Sequence, residues 1–261
     1  MLSYYPGLSA ERFNKKFQMI LGSSSPRRYE ILHDEMDFRD IEVRKPNFPE
    51  KLDKSKYINR PLEYVKDTAG FKAEEMMEYL EKEEQKPPKK GLPNKIEKVD
   101  EINKVKVVIC ADTIVIDPNN KIYEKPITES AQLEMLETFC YKFDKPIRVA
   151  TAVNIIIWEN SEKNMNSAFC KVTELHFDKN IPKTLIEEYV RSGAGLQAAG
   201  GFNIQDLNGT IIKKVQRDDD YYNVMGLPIL PTYEKIFVLI KLFFQMYPIA
   251  QDCKQEDDER Y

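Results

Sequence analysis

Histidine is almost missing from this chain: His33 and His176 are the only two among 261 residues. That leaves no basis for a histidine-rich zinc site or an imidazole-based triad. Cysteine is sparse and scattered, at Cys110, Cys140, Cys170 and Cys253, with no CxxC pair. A disulfide framework is therefore not expected, and reduced, buried thiols in a cytoplasmic protein are. The chain also lacks an apolar run long enough to cross a bilayer, which takes about 20 residues. The longest greasy stretch, IFVLIKLFFQMY from Ile236, is broken by Lys241 and reads as a core or subunit-interface helix. The first residues lack the apolar core of a signal peptide. An excess of positive charge is lacking too: the formal net charge is -4, with both signs interleaved. No broad nucleic-acid-binding surface is expected, and no membrane association; any anion site must be local.

What is present is a globular composition, 42% apolar and 11% aromatic. An apolar run at residues 17–21 reads as a strand, followed by a helix opening at Pro26 with Ser25 as N-cap. A long helix is expected at residues 61–84, where Leu62, Val65, Ala69, Ala73, Met76 and Leu80 share one face. The charged, proline-bearing stretch at about 81–104 reads as a mobile surface insertion. KVVICADTIVID is an apolar strand that Asp112 ends, and Thr128 can cap the helix after it. IRVATAVNIIIW and AFCKVTELHF form a hairpin, and IPKTLIEEYV is a helix stopped at Gly193. GTIIKKVQ and DDDYYNVMG look strand-like, and a final helix starts near Leu230. Together these imply an α/β fold with a mixed twisted sheet and flanking helices in one domain of two lobes, residues 14–247, between flexible termini at 1–13 and 248–261.

Four local features bear on chemistry. Arg27 and Arg28 occupy the first turn of the helix at Pro26, where the helix dipole disfavours each cation by roughly 0.3–1 kcal/mol. They read either as a tolerated, solvated helix start or as forked donors that join backbone N–H groups and serine hydroxyls around an anion such as phosphate. Lys72 interrupts an apolar helical face, either snorkelling or pointing its ammonium into a cleft. Asp112 is either a turn residue or a ligand-facing carboxylate at the end of a strand. Lys125 is held extended by the proline after it, either on the surface or beside a site.

The segments SSSPRR, FKA, ADTIV, EKP, GGFNIQ and YYNVMGLP occur in the order and spacing of the Maf family of nucleoside triphosphate pyrophosphatases, which the chain resembles over roughly residues 16–233. The resemblance implies two lobes around a cleft, a fold similar to inosine triphosphate pyrophosphatases, and a homodimer as an open assembly. It implies hydrolysis of a nucleoside triphosphate between the α and β phosphates with Mg2+ or Mn2+, keeping unwanted nucleotides out of nucleic acids. Carried over by position, the catalytic aspartate is Asp112, with Lys72, Lys125 and Glu50 beside it. The substrate-binding set is Ser23, Ser25, Arg27, Arg28, Thr113 and Gln205, and the metal would fall to Glu50 and Asp112. Whether Asp112 takes the proton, holds the metal or does both stays open. Arg27, Thr113 and Gln205 match members that act on dTTP and UTP rather than on 7-methyl-GTP. One departure stands out: Gln197 and Ala198 replace the family's Asp-Lys pair, and Phe202 replaces a tyrosine, with Lys213 or Lys171 as candidate substitutes for the lost lysine. That departure is the best support for an alternative, a nucleotide-binding regulator with little turnover. A further alternative is the same reaction on 7-methyl-GTP or inosine triphosphate.

Overall fold

The computed structural model describes residues 10–48, 52–86, 105–207, 210–215 and 221–248. A seven-stranded mixed sheet forms its centre. The strands are β1 (Phe17–Gly22), β2 (Glu42–Val43), β3 (Val105–Ile116), β4 (Ile122–Tyr123), β5 (Ile147–Trp158), β6 (Asn164–Phe177) and β7 (Ile212–Val215). Their order is β2-β1-β3-β5-β6-β7, with β4 paired to β3 beyond the path. β1 runs parallel to β2 and β3, whereas β3, β5, β6 and β7 pair antiparallel in succession. The helices are α1 (Ala10–Lys16), α2 (Pro26–Glu30), α3 (Pro61–Glu84), α4 (Glu129–Tyr141), α5 (Lys183–Arg191), α6 (Ile204–Leu207), α7 (Tyr221–Met225) and α8 (Ile229–Met246), and α2 continues into a π turn at Ile31–Glu35.

Both faces of β3 are covered, so its sequence is a near-continuous apolar run and not an alternating one. Val108, Cys110, Ile114 and Ile116 face α3, whose Val65, Ala69, Ala73, Met76 and Leu80 are buried at helical spacing against them. Val107, Ile109 and Ala111 face the other way, onto Ile236, Leu239, Ile240 and Phe243 of α8. Further along, Val115 and Val149 meet Leu136 and Phe139 of α4, Ile186 of α5 and Phe202. Adjacent positions 112 and 113 must therefore point to opposite faces of the sheet.

The helix at Pro61–Glu84, the Thr128 cap (Ala131 N to Thr128 Oγ1, 3.1 Å), the β5–β6 hairpin and the final helix match the sequence reading. α8 is a core helix, although Val238, Leu242 and Met246 remain exposed on it. Three expectations are corrected. Asp112 does not end its strand: β3 continues to Ile116, because β5 pairs with it along its length, Asp112 facing Ala152. The stretch at Tyr221–Met225 is a helical turn and not a strand, and the buried Asn223 side chain pins it by donating to Val149 O (3.3 Å) and Thr173 Oγ1 (2.8 Å). Ser25 makes no side-chain cap; instead Ser23 Oγ accepts from Ser25 N at 3.2 Å. The flexible segment expected at 1–13 does not hold at its inner end, where α1 begins at Ala10 and Phe13 is buried against Phe17 and Phe38. The first part of the charged stretch belongs to α3, while residues 1–9, 87–104, 249–261 and Glu50 lie outside the described residues.

Gly22, the last residue of β1, is glycine because of close approach: a Cβ there would overlap Cys110 Sγ and lie 3.2 Å from Met76 Cγ. Gly22→Ala should cost about 1–3 kcal/mol of stability, read as a lower urea midpoint, and Cys110→Ala in the same chain should restore most of it. An unchanged midpoint in the single variant would contradict this packing.

Candidate active site

The parallel pairing of β1 with β3 stops at Gly22 and Cys110. β3 then runs on while the chain leaves β1 through Ser23, Ser24 and Ser25, and a cavity of about 610 Å3 opens where the two diverge. Asp112 and Thr113 are half-buried here, between fully buried residues 107–111 and 114–116. Asp112 thus lies just past the carboxyl end of the parallel pair, the place where ligands of open α/β sheets bind, although its own strand continues.

The cavity is lined by Ser23, Ser25, Arg27, Arg28, Lys72, Asp112, Thr113, Lys125 and Gln205, every carried-over residue except Glu50, which lies outside the described residues. Lys72 is 3% exposed and reaches through the apolar face of α3. Its Nζ donates to Asp112 Oδ1 at 2.8 Å and to Ala111 O at 3.4 Å, so it points into the cleft and does not snorkel. An ion pair this dry costs heavily in desolvation, and it holds only because the partners fit closely.

The two arginines have different jobs. Arg28 is 8% exposed and knits three segments together: Nη1 donates to Ser23 Oγ (3.0 Å), Nη2 to Thr113 Oγ1 (3.0 Å) and Nε to Gly226 O (2.9 Å). Arg27 ties α2 to a loop distant in sequence, with Nη1 donating to Asn203 Oδ1 at 2.8 Å and Nη2 to Gln197 O at 3.4 Å, all three residues lining the cavity. Burial pulls its guanidinium below the ordinary value, against Glu30, Tyr189 and Asp206, which favour the charged form. The Tyr189 phenol is pushed up to about 12 by burial, and its oxygen accepts from Asn203 N.

Charge in the cavity is unbalanced: Arg27, Arg28, Lys72 and Lys125 stand against Asp112 and Glu124. Lys125 makes no ion pair with another described residue. Glu124 accepts from Tyr64 Oη at 2.6 Å and pairs with Lys54. The rest of the lining includes apolar side chains, Val115, Val149, Phe202, Val224 and Met225. Such a lining suits a ligand that joins a polyanion to a flat, less polar group. Among the described residues no three His, Cys, Asp or Glu side chains cluster as a ready metal cage. The Asp112 carboxylate in a cavity lined by four cations is nevertheless of the oxygen-donor chemistry that suits Mg2+ or Mn2+, which take one or two carboxylates and fill their shell with phosphate oxygens and water.

Sequence reasoning missed Thr68, Glu124 and Asn203, which also line the cavity. Thr68 had a signal, standing one turn before Lys72 on the same buried face. Glu124 lies in the quoted EKP segment, whereas Asn203 shows itself only through its bond to Arg27. The candidate substitutes for the lost loop lysine do not reach the site: Lys213 pairs with Asp178 at 2.8 Å, and neither it nor Lys171 lines the cavity.

This cleft and its residues belong to a class that handles phosphorylated ligands, and comparison with known proteins says which. The chain belongs to the Maf family, matching Maf-like protein over residues 18–237. It is 43% identical over 222 residues to the dTTP/UTP pyrophosphatase of Saccharomyces cerevisiae, covering 85% of this chain and 90% of that one. The dTTP/UTP pyrophosphatase of Schizosaccharomyces pombe is 34% identical over 231 residues, 87% of this chain and 85% of the relative. That of Clostridium perfringens is 31% identical over 220 residues, 84% and 95% of the two chains.

Because Arg28 bridges three segments, Arg28→Lys should lower stability by about 2 kcal/mol or more, since an ammonium cannot reproduce the fork. Arg27→Lys should change stability by no more than about 0.5 kcal/mol. Equal effects in chemical denaturation would contradict the division of roles.

Proposed function

We propose that this chain hydrolyses dTTP and UTP to the nucleoside monophosphate and pyrophosphate. The observation that carries the reading is the Lys72–Asp112 ion pair, 2.8 Å, set in a cavity that three further cationic side chains, Arg27, Arg28 and Lys125, also line. The relatives' names give the nucleotides. No helix among the described residues is long and apolar enough to cross a membrane.

In this reading the triphosphate lies along the Ser23–Ser25 loop, countered by Arg27 and Lys125. Lys72 orients the Asp112 carboxylate, which accepts a proton from the attacking water. The water oxygen bonds to the α phosphorus in line with the departing oxygen, the bond to the β phosphate breaks, and pyrophosphate leaves with its charge stabilised by the same cations. The base rests on the apolar side chains of the lining, with Thr113 and Gln205 at its polar edge. A divalent cation held by Asp112, with Glu50 as the second carried-over ligand, would supply Lewis-acid stabilisation of phosphate charge. The reading includes a cytoplasmic location, supported by free thiols at Cys110, Cys140 and Cys170, and a housecleaning role in the nucleotide pool. A homodimer is carried by the resemblance alone and is tested by sedimentation.

One observation favours a second reading, a nucleotide-binding regulator with little turnover: Gln197 and Ala198 line the cavity where the family pattern has Asp and Lys, with no lysine in their stead. Pyrophosphate release from dTTP, UTP, CTP, 7-methyl-GTP, dITP and GTP, with Mg2+ and with Mn2+, separates the two. Turnover should be confined to dTTP and UTP, and Asp112→Asn should reduce it by about 100-fold or more while binding stays within about tenfold. Unchanged turnover in Asp112→Asn removes it from the chemistry, and binding without turnover in the wild type favours the regulator.

A further inference from the structure

Thr113 faces the cavity with its proton already committed. Its Oγ1 accepts from Arg28 Nη2 at 3.0 Å and lies 3.0 Å from Thr151 Oγ1, which in turn lies 2.9 Å from the main-chain oxygen of Asn223. The last two contacts join oxygen to oxygen, and each is attractive only with a hydrogen between the atoms. The Asn223 carbonyl has none to give, so the Thr151 hydrogen fills that contact. The Thr113 hydrogen must then fill the contact between the threonines. What Thr113 retains for the cavity is one lone pair, so it accepts and cannot donate.

The anchor of this relay is rigid. Thr151 and Asn223 are both 0% exposed, and Asn223 is fixed by its side-chain bonds to Thr173 and Val149 on neighbouring strands. An acceptor-only hydroxyl cannot bind an ionised phosphate oxygen or a bare ring nitrogen; its partner must bring a hydrogen, and on the edge of a base that hydrogen is carried by nitrogen. Uracil and thymine carry a hydrogen on ring nitrogen N3, where cytosine presents a lone pair.

We propose that Thr151 is a specificity-determining positioning residue: by giving its hydrogen to Asn223 O it holds Thr113 as an acceptor, which selects uracil and thymine over cytosine at N3. This rests on the reading above that Thr113 lies at the edge of the base. Thr151 touches no substrate and acts only through Thr113.

The test is Thr151→Val in the full chain, which keeps the shape and β-branching and removes the hydroxyl, so that the Thr113 hydrogen loses its acceptor and can turn to the cavity. The ratio of kcat/KM for UTP to that for CTP should fall by about tenfold or more, mainly through a lower KM for CTP. Thr151→Ser, which retains the relay, should keep the wild-type ratio, an outcome that a packing effect of the valine would not explain. Thr113→Val, measured in parallel, should also lower the ratio. If Thr113→Val lowers it and Thr151→Val does not, Thr113 meets the base but the role of Thr151 is overturned. If Thr113→Val leaves it unchanged, the placement of the base fails and the proposal falls with it. Should Thr151→Val not fold, the wild type decides: 3-methyl-UTP, with N3–H replaced by a methyl group, should be used about tenfold less well than UTP or worse, and equal use overturns the proposal.

Discussion

The buried ion pair between Lys72 and Asp112 joins the longest helix to the central strand, and the cavity is arranged around it. Both side chains are largely withdrawn from water, 4% and 14% exposed, so each depends on the other. A pair in that position is a doubtful source of stability, because desolvation offsets most of the attraction. Its value lies in orientation: a carboxylate fixed by a buried ammonium presents a defined face to the cleft. The apolar stripe of α3 is what permits this, since it places Lys72, itself buried, within reach of β3.

Around that pair the site is assembled by sheet topology. Since successive residues of a strand point to opposite faces, Asp112 and Thr113 can serve different ends of one ligand from adjacent positions. Asp112 faces the helix that supplies Lys72, and Thr113 faces the hydrogen-bonded chain through Thr151 to Asn223. Arg28 connects the halves, bonding the serine loop, Thr113 and the Gly226 carbonyl at once. The sequence question of why two arginines share an unfavourable helix start thus has two answers. Arg28 is a structural tie, and Arg27 lines the cavity while bonding Asn203 and Gln197.

Much of this was legible in the chain before any coordinates. α3 declared itself by a helical apolar period, and Lys72 by being the one lysine inside that stripe. The hairpin of β5 and β6 followed from β-branched runs separated by polar residues. What was not legible depends on partners distant in sequence. Tyr, Tyr and Val favour strands by propensity, yet α7 is helical because Asn223 bonds across two strands some 50 and 74 residues away. The tie from Arg28 to Gly226 spans 198 residues, and no local pattern announces it. Thr151 looked like any strand-forming threonine, because a hydroxyl in a strand signals a hydrogen-bond relay only when its neighbours on other elements are known.

Attack on the α phosphorus, with Asp112 taking the proton of the water, is the central step of the proposed reaction, and the fate of the water oxygen tests it. UTP is turned over in water enriched in the heavy oxygen isotope, and the products are weighed by mass spectrometry. Label in the phosphate of the monophosphate, with none in pyrophosphate, is the predicted result. Label in pyrophosphate, or release of orthophosphate with a nucleoside diphosphate, would contradict it.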